Sequence, residues 1–208
     1  MDEKPHHHGN LRAALIDAGM QLLAERGLDG LTLRRAAAKA GVSHAAPAHH
    51  FNGKQGLVLA IAAHGFQTFT QLMQDERYRH GDTPQDQLLG ICEGYLRFAR
   101  EHTALFRLIF TTEVKSDPDE DLQTASAAAF GLLVEVCALF EPSPEGDGVN
   151  EIMMWSLVHG YAGLSQFSHL NNPSTGEVIP FAMVLPKLKP KTGERITPEA
   201  DNGSVKSF

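Results

Sequence analysis

The stretch LTLRRAAAKAGVSHAAPAHHF, residues 31–51, decides the fold of the N-terminal part of the chain. Thr32 can cap a short Ala-rich helix that Gly41 ends, and Ser43 can cap a further helix running to about His50. Gly41 permits the left-handed backbone that a tight turn between two such helices requires. The stretch therefore predicts a helix-turn-helix motif.

Pro47 follows Ser43 by only four residues and stands inside the second of these helices. At the fourth helical position, the missing N–H removes only the first intrahelical hydrogen bond, so we expect the helix to survive with a rigid first turn. In helix-turn-helix proteins the N-terminal end of the second helix enters the major groove of DNA. A rigid first turn there would keep side chains in register with base edges.

The remaining sequence is helical in pattern, with no alternation of period two. Apolar residues recur at helical spacing over about 11–26, 54–78, 84–102, 103–112, 119–140 and 149–170. Thr83 is expected to cap the helix that opens at Pro84. After Asn172, repeated prolines forbid a long helix. The chain is thus predicted to be all-α, with a helix-turn-helix domain at 6–52, a larger helical domain at 53–186 and a flexible tail at 187–208.

Composition and charge restrict the class of protein. Of the 208 residues, 42% are hydrophobic, and no uninterrupted apolar run reaches the length of a membrane span or of a secretory signal core, so we expect a cytoplasmic protein. Residues 1–60 contain seven Lys and Arg against five Asp and Glu, whereas the rest contains 11 against 20. A basic N-terminal part on an acidic body is expected when only one part of a chain meets an anionic partner.

Several motifs, in this order and spacing, resemble the TetR/AcrR family of bacterial transcriptional regulators over about residues 6–172. They are HHGNLRAALIDAG, the 31–51 stretch followed by Lys54 and Leu57, the AxxGF run from Ala62 to Phe66, and WSLVHGYAGL from Trp155. The last contains the Trp-x-x-x-His-Gly signature of one branch of the family. The resemblance implies a homodimer that binds a near-palindromic DNA operator and a small apolar or amphipathic effector, without a cofactor.

The resemblance also implies which residues contact DNA, although the chain departs from the family pattern. Tyr is common where this chain has Ala48, a basic residue where it has His49, and an acidic residue where it has Arg35. The residues expected to contact DNA are Arg34, Arg35, Ser43, His44, Ala45, Ala46, Pro47, Ala48, His49 and Lys54. We expect His44 and the alanines to meet bases and Lys54 to meet a phosphate.

Aromatic residues of the larger domain are candidates for the wall of an effector cavity, with ordinary core packing as the alternative. The candidate ligand-binding residues are Phe66, Phe69, Tyr95, Phe98, Phe110, Phe130, Trp155 and His159. Ser156, Gly160 and Gly163 form a small-residue stripe. It could let a second subunit approach closely, or serve packing within one subunit.

A metal enzyme is not expected, although the chain contains 11 His. No HExxH or Cys/His ligand spacing occurs, and residues 30–74 contain no Asp or Glu. Cys92 and Cys137 are predicted to be core residues. The sequence therefore favours a ligand-responsive DNA-binding regulator, most simply a repressor. The alternative is a helical small-molecule-binding or interaction module with weakened DNA binding.

Overall fold

The computed structural model describes residues 8–110, 114, 119–165, 170–172 and 174–191. Within these residues all regular structure is helical, and the only strand-like features are two isolated bridges. The helices are α1 (His8–Gly30), α2 (Leu33–Lys39), a 3₁₀ helix (Ala46–His49), α3 (Gly53–His80), α4 (Pro84–Glu101), α5 (Thr103–Ile109), α6 (Glu120–Cys137), α7 (Val149–Ser165) and α8 (Phe181–Val184). The predicted fold class is confirmed. None of these helices is long and apolar enough to cross a membrane.

Two of the predicted helix caps are present. The Thr32 hydroxyl accepts a hydrogen bond from the backbone N–H of Arg35 at 3.2 Å, and the Thr83 hydroxyl accepts one from Asp86 at 3.1 Å. Each hydroxyl satisfies a donor that the first helical turn leaves without an intrahelical partner. Short polar residues before an apolar pattern thus located the starts of α2 and α4.

The end of α1 differs from the prediction. The helical pattern over about 11–26 predicts an end near Gly27, but α1 continues to Gly30 across a kink at which Gly27 has φ 67°. Glycine occupies this left-handed region without the steric cost that a Cβ would add. The kink redirects the chain, and Leu31, immediately beyond the helix, is fully buried.

The second helix of the helix-turn-helix motif is shorter than predicted. Only a 3₁₀ helix forms at Ala46–His49, and it has no side-chain cap. The backbone carbonyl of Ser43 accepts a hydrogen bond from the Ala46 N–H at 3.1 Å. Proline disfavours the α conformation in the residue before it and supplies no N–H, and both effects fall on the first turn. The Pro47 carbonyl instead accepts from both His50 and Phe51, at 3.0 Å each. Gly41 has the expected left-handed backbone, with φ 70°.

Helices α3 and α4 form the centre of the larger domain, and two glycines of α4 allow them to pack closely. A Cβ on Gly94 would lie 2.4 Å from Met73 Cα and 2.5 Å from the Leu72 carbonyl oxygen. A Cβ on Gly90 would lie 2.6 Å from Arg77 Cα. Only hydrogen fits at these two positions, so the backbones are nearly in contact.

Polar contacts on the outside hold the same bundle together. Arg77 on α3 donates to Gln87 on α4, at 2.8 and 2.6 Å, and to Glu135 on α6 at 2.8 Å. Arg97 on α4 pairs with Glu76 on α3 at 3.1 Å. These side chains therefore join three helices at the bundle surface.

The N-terminal helices and the bundle are joined through α5. This two-turn helix packs against α1 as well as against α3 and α4. A groove at the α1 junction is lined by Leu23 and Leu28 of α1 and by Ala104 and Leu108 of α5. A shift of α5 would therefore change its packing against α1.

The segment after α7 packs back onto the bundle. Phe181 is 2% exposed and lies edge-on against Tyr161, with ring centroids 5.1 Å apart. Further along, Lys189 forms an ion pair with Glu141 at 2.8 Å, and its carbonyl accepts from the Glu141 N–H. Of the predicted tail, residues 187–191 are joined to the bundle in this way, and residues 192–208 lie outside the described residues.

Candidate functional site

The predicted DNA-contacting residues of the 3₁₀ segment form an accessible surface. Ser43, His44, Ala45, Ala48 and His49 are exposed, and Ala46 is partly exposed. The 3₁₀ turn thus presents two imidazoles and several methyl groups to solvent. A methyl group can contact thymine, and an imidazole N–H can donate to a base edge or a phosphate.

Pro47 is a correction to the predicted set. It is the buried residue of the 3₁₀ helix, so it cannot contact DNA. Its ring anchors the segment from inside and fixes the direction in which the neighbouring side chains leave the surface.

The basic residues predicted to contact DNA differ in whether their side chains are already hydrogen-bonded within the protein. Arg34 is exposed, beside a cleft that Thr32, Arg35, Ala38 and His44 also line. The Arg35 guanidinium donates to the Gly30 carbonyl, and the Lys54 ammonium donates to the Leu28 carbonyl, each at 3.0 Å. Both side chains are thus bound to the end of α1 rather than extended, and a phosphate would have to compete with those carbonyls.

A cavity of about 510 Å³ lies inside the larger domain. Its size falls within the range typical of small-molecule sites, which are mostly apolar. Its walls come from α3, α4, α5, α6 and α7, together with Phe110 and Val114. The lining residues are Phe66, Phe69, Met73, Ile91, Cys92, Tyr95, Ile109, Phe110, Val114, Leu122, Gln123, Ser126, Ala127, Ala129, Phe130, Leu133, Trp155 and Val158.

The cavity contains six of the eight aromatic and His residues singled out in the sequence, and two lie elsewhere. Phe98 is fully buried behind the wall, with its ring centroid 5.1 Å from that of Phe69. His159 contacts the cavity through Tyr95 rather than lining it. The aliphatic lining residues were missed, because helical periodicity predicts that a residue is buried but not which helices enclose it.

Tyr95 and His159 form the most specific polar contact of the wall. The Tyr95 hydroxyl oxygen lies 2.6 Å from Nδ1 of His159, and the His159 ring stacks on Phe106 with centroids 5.6 Å apart. Burial raises the pKa of the Tyr95 phenol, although the Trp155 indole acts in the opposite direction. Tyr95 therefore remains protonated and uncharged at neutral pH.

The thiols of the domain are also uncharged. Burial raises the pKa of the Cys92 thiol, which lines the cavity, and raises that of Cys137 to about 12. Both side chains are buried, as predicted. Within the described part of the chain, no group of three or more His, Cys, Asp and Glu residues is arranged to hold a metal ion.

Helices α6 and α7 present an exposed apolar face beside the cavity. Its large side chains are Phe130 and Val134 on α6 and Ile152, Met153 and Leu164 on α7, of which Ile152 is 56% exposed. A Cβ built on Gly160 or Gly163 meets no other atom within 4 Å. The small-residue stripe therefore does not serve close packing within the described part of this subunit.

Comparison with protein families assigns both the helix-turn-helix region and the larger helical domain. Residues 15–61 match the family described as "Bacterial regulatory proteins, tetR family", and residues 88–182 match "Tetracyclin repressor-like, C-terminal domain". The two matches together span more than half of the chain and follow in the order of the two domains. The chain belongs to the tetR family of regulators.

Individual relatives agree with this assignment. The chain is 35% identical over 83 residues to the HTH-type transcriptional regulator BetI of Stenotrophomonas maltophilia, which is 40% of this chain and 42% of that relative. It spans about half the length, or less, of the curated relatives that it matches. A Rhodococcus sp. RHA1 protein of unknown function is 29% identical, covers 88% of this chain and 93% of its own, and superposes with a TM-score of 0.71.

A more distant structure shares the fold. It is a TetR family transcription regulator from Marinobacter aquaeolei VT8, with 18% identity, a TM-score of 0.54 and coverage of 76% of this chain and 84% of its own. This structure therefore shares the arrangement of helices over about three quarters of the chain.

Proposed function

We propose that this tetR-family protein is a homodimeric repressor of transcription that a small molecule releases from a near-palindromic DNA operator. The observation that carries the proposal is the position of α5. Ile109 and Phe110, at its C-terminal end, line the cavity, while Ala104 and Leu108 line the groove between this helix and α1, against which α5 packs. One short element thus borders both the candidate effector site and the helix-turn-helix region.

The DNA-binding part of the proposal rests on the exposed 3₁₀ surface and on Arg34. His44 and the neighbouring alanines would meet base edges, and Arg34 would meet the phosphate backbone. Arg35 and Lys54 would join the phosphate contacts only after leaving the carbonyls of Gly30 and Leu28. We therefore expect fewer basic side chains to contact operator phosphates than the number of Lys and Arg residues in this region suggests.

The exposed apolar face of α6 and α7 supports dimerisation. Large exposed apolar side chains on neighbouring helices are a feature of protein interaction sites. A helix that carries Gly160 and Gly163 on this side allows another helix to approach closely. A second copy of the chain is the proposed partner, and two helix-turn-helix regions would then read two half-sites about one helical turn apart.

Release by an effector follows from linkage. A bound molecule can shift the protein only toward the state that it binds more tightly. We propose that filling the cavity displaces Phe110 and Ile109, moves α5 against α1, and favours a spacing of the two helix-turn-helix regions that does not fit the operator. The proposal involves no catalytic step and no cofactor, and it places the protein in the cytoplasm.

We further assign the chain to the branch with the Trp-x-x-x-His-Gly signature. Trp155 lines the cavity, and His159 holds the Tyr95 hydroxyl, so the first two positions of the signature meet at one end of the wall. We also propose domain limits of 6–52 and 53–186. Within the larger domain, α5 is the helix that packs against α1 of the N-terminal domain.

The second candidate function is a small-molecule-binding or interaction module with weakened DNA binding. The carbonyl-bound Arg35 and Lys54 and the small side chain of Ala48 favour it. Selection of bound sequences from random duplex DNA, with the oligomeric state measured in the same sample, separates the two. A recovered palindrome supports the repressor, whereas a folded dimer without sequence preference supports the module.

A further inference from the structure

The cavity has a chemical character that restricts its ligand, because no charged side chain is among its described lining residues. Cys92 and Tyr95 are uncharged, as shown above. The other polar groups are the amide of Gln123, the hydroxyl of Ser126 and the indole N–H of Trp155, which acts on the Tyr95 hydroxyl. A charged group placed against these residues would therefore lose its water without gaining an opposite charge.

Three charged residues on α3 and α4 are engaged away from the cavity. Glu76 and Arg77 of α3 and Arg97 of α4 form ion pairs at the bundle surface, with Arg97 to Glu76 at 3.1 Å and Arg77 to Glu135 at 2.8 Å. Their charges are already compensated there. Among the described lining residues, neither a carboxylate nor an ammonium ligand would find a counter-charge.

Tyr95 provides one position at which a polar ligand group can bind. If the Tyr95 hydroxyl donates to Nδ1 of His159, its oxygen can still accept a hydrogen bond; if His159 donates instead, the Tyr95 hydroxyl can donate to a ligand. A hydroxyl group is both donor and acceptor, so it matches Tyr95 in either tautomer. Aromatic side chains around it suit an apolar body.

We infer that the cavity binds an uncharged, largely apolar alcohol or phenol whose hydroxyl group bonds to Tyr95. This inference rests on the proposed effector role of the cavity and names the class of effector. It predicts that fatty-acid-like anions and organic cations bind this cavity more weakly than the uncharged alcohol does. The single polar contact orients the molecule, and the aromatic wall supplies most of the affinity.

The test uses ligands that share one ring and differ in one group. The full-length protein is first loaded with the uncharged dye N-phenyl-1-naphthylamine, whose fluorescence rises in an apolar site. Displacement is then measured with 1-naphthylmethanol, 1-methylnaphthalene, 1-naphthoate and 1-naphthylmethylammonium. We expect the alcohol to bind most tightly, and both ions to bind at least about 30-fold more weakly because their charge is desolvated without a partner.

Substitution of one hydroxyl tests the role of Tyr95. Tyr95→Phe should weaken binding of the alcohol by about 5-fold, the value of one neutral hydrogen bond, and leave 1-methylnaphthalene unchanged. Tyr161→Phe is the matched control, because the Tyr161 hydroxyl donates to the Ile179 carbonyl at 2.7 Å and does not line the cavity. It should change neither affinity.

Three results would overturn the inference. They are failure of the dye to bind, an ion that binds as tightly as the alcohol, and a Tyr95→Phe variant that loses both uncharged ligands equally. Adding the ligands to a complex with the selected operator is a separate measurement. If the alcohol binds but the operator stays bound, the ligand class stands and the proposed release mechanism fails.

Discussion

Gly94→Ala is the substitution for which the structure makes the sharpest prediction. Its Cβ would lie 2.4 Å from Met73 Cα and 2.5 Å from the Leu72 carbonyl oxygen, both of them backbone atoms of α3. Flexible side chains could move aside, but backbone atoms inside a helix cannot do so without moving the helix. The α3–α4 contact must therefore open.

The magnitude follows from two opposing effects. Overpacking of a core costs about 1–3 kcal/mol, and we expect the upper end because backbone is displaced. Alanine is the better helix former by about 1 kcal/mol, which offsets part of that cost. The net destabilisation is about 2 kcal/mol, which lowers the melting temperature by about 4–8 °C in a domain of this size.

Gly131→Ala is the matched control. Gly131 lies inside α6, and a Cβ there meets no other atom within 4 Å. Only the helix preference remains, so the melting temperature should stay the same or rise by a few degrees. Both variants are measured by thermal unfolding at one protein concentration, because the proposed dimerisation would make the melting temperature concentration-dependent. Equal melting temperatures for the two variants would refute the close-packing argument.

Three further predictions concern the dimer face, the DNA surface and the buried thiols. Gly160→Leu should leave a folded monomer and abolish the dimer in sedimentation experiments, whereas Ala182→Leu, on exposed α8, should not; a dimeric Gly160→Leu variant would contradict the proposed face. Arg34→Gln should weaken binding to all DNA sequences and reduce the salt dependence, whereas His44→Gln should change the preferred bases; equal losses on every sequence would contradict that division. The raised pKa of Cys137, about 12, means that the folded state keeps this thiol proton at pH values at which the unfolded state has lost it, so the free energy of unfolding should fall as pH rises above about 9. In urea unfolding, a Cys137→Ala variant should show a smaller decrease of the free energy of unfolding with pH. An unchanged decrease would exclude the thiol as its source.

Local signals predicted the helices of the described fold well. Thr32 and Thr83 begin helices where expected, because a capping hydroxyl acts within three residues of itself. The 3₁₀ segment shows the limit of such reasoning. By position alone, Pro47 is compatible with an α-helix because it lies in the first turn. However, proline disfavours the α conformation in Ala46, and the Pro47 carbonyl accepts from both His50 and Phe51, so one 3₁₀ turn forms instead of an α-helix.

The candidate cavity could be predicted only in part. Aromatic residues at helical spacing identified Phe66, Tyr95 and Trp155, but the same signal included Phe98, which is buried behind the wall. The Tyr95–His159 contact joins residues 64 positions apart and depends on how α4 and α7 are placed. Sequence periodicity gives the buried side of each helix, whereas the enclosed volume depends on the packing of several helices at once.

The short length of α5 explains how binding at a buried site could reach the DNA-binding region. A two-turn helix is too short to absorb a displacement by gradual bending, so a push on Phe110 and Ile109 moves Leu108 and Ala104 with it. These last two residues line one groove with Leu23 and Leu28 of α1, which lie on either side of the Gly27 kink. Beyond the kink, the carbonyl of Leu28 holds Lys54 at the start of α3. An effector that moves α5 would therefore shift the hydrogen bond that joins α1 to α3. The Lys54 ammonium would then exchange between the Leu28 carbonyl and a phosphate of the operator.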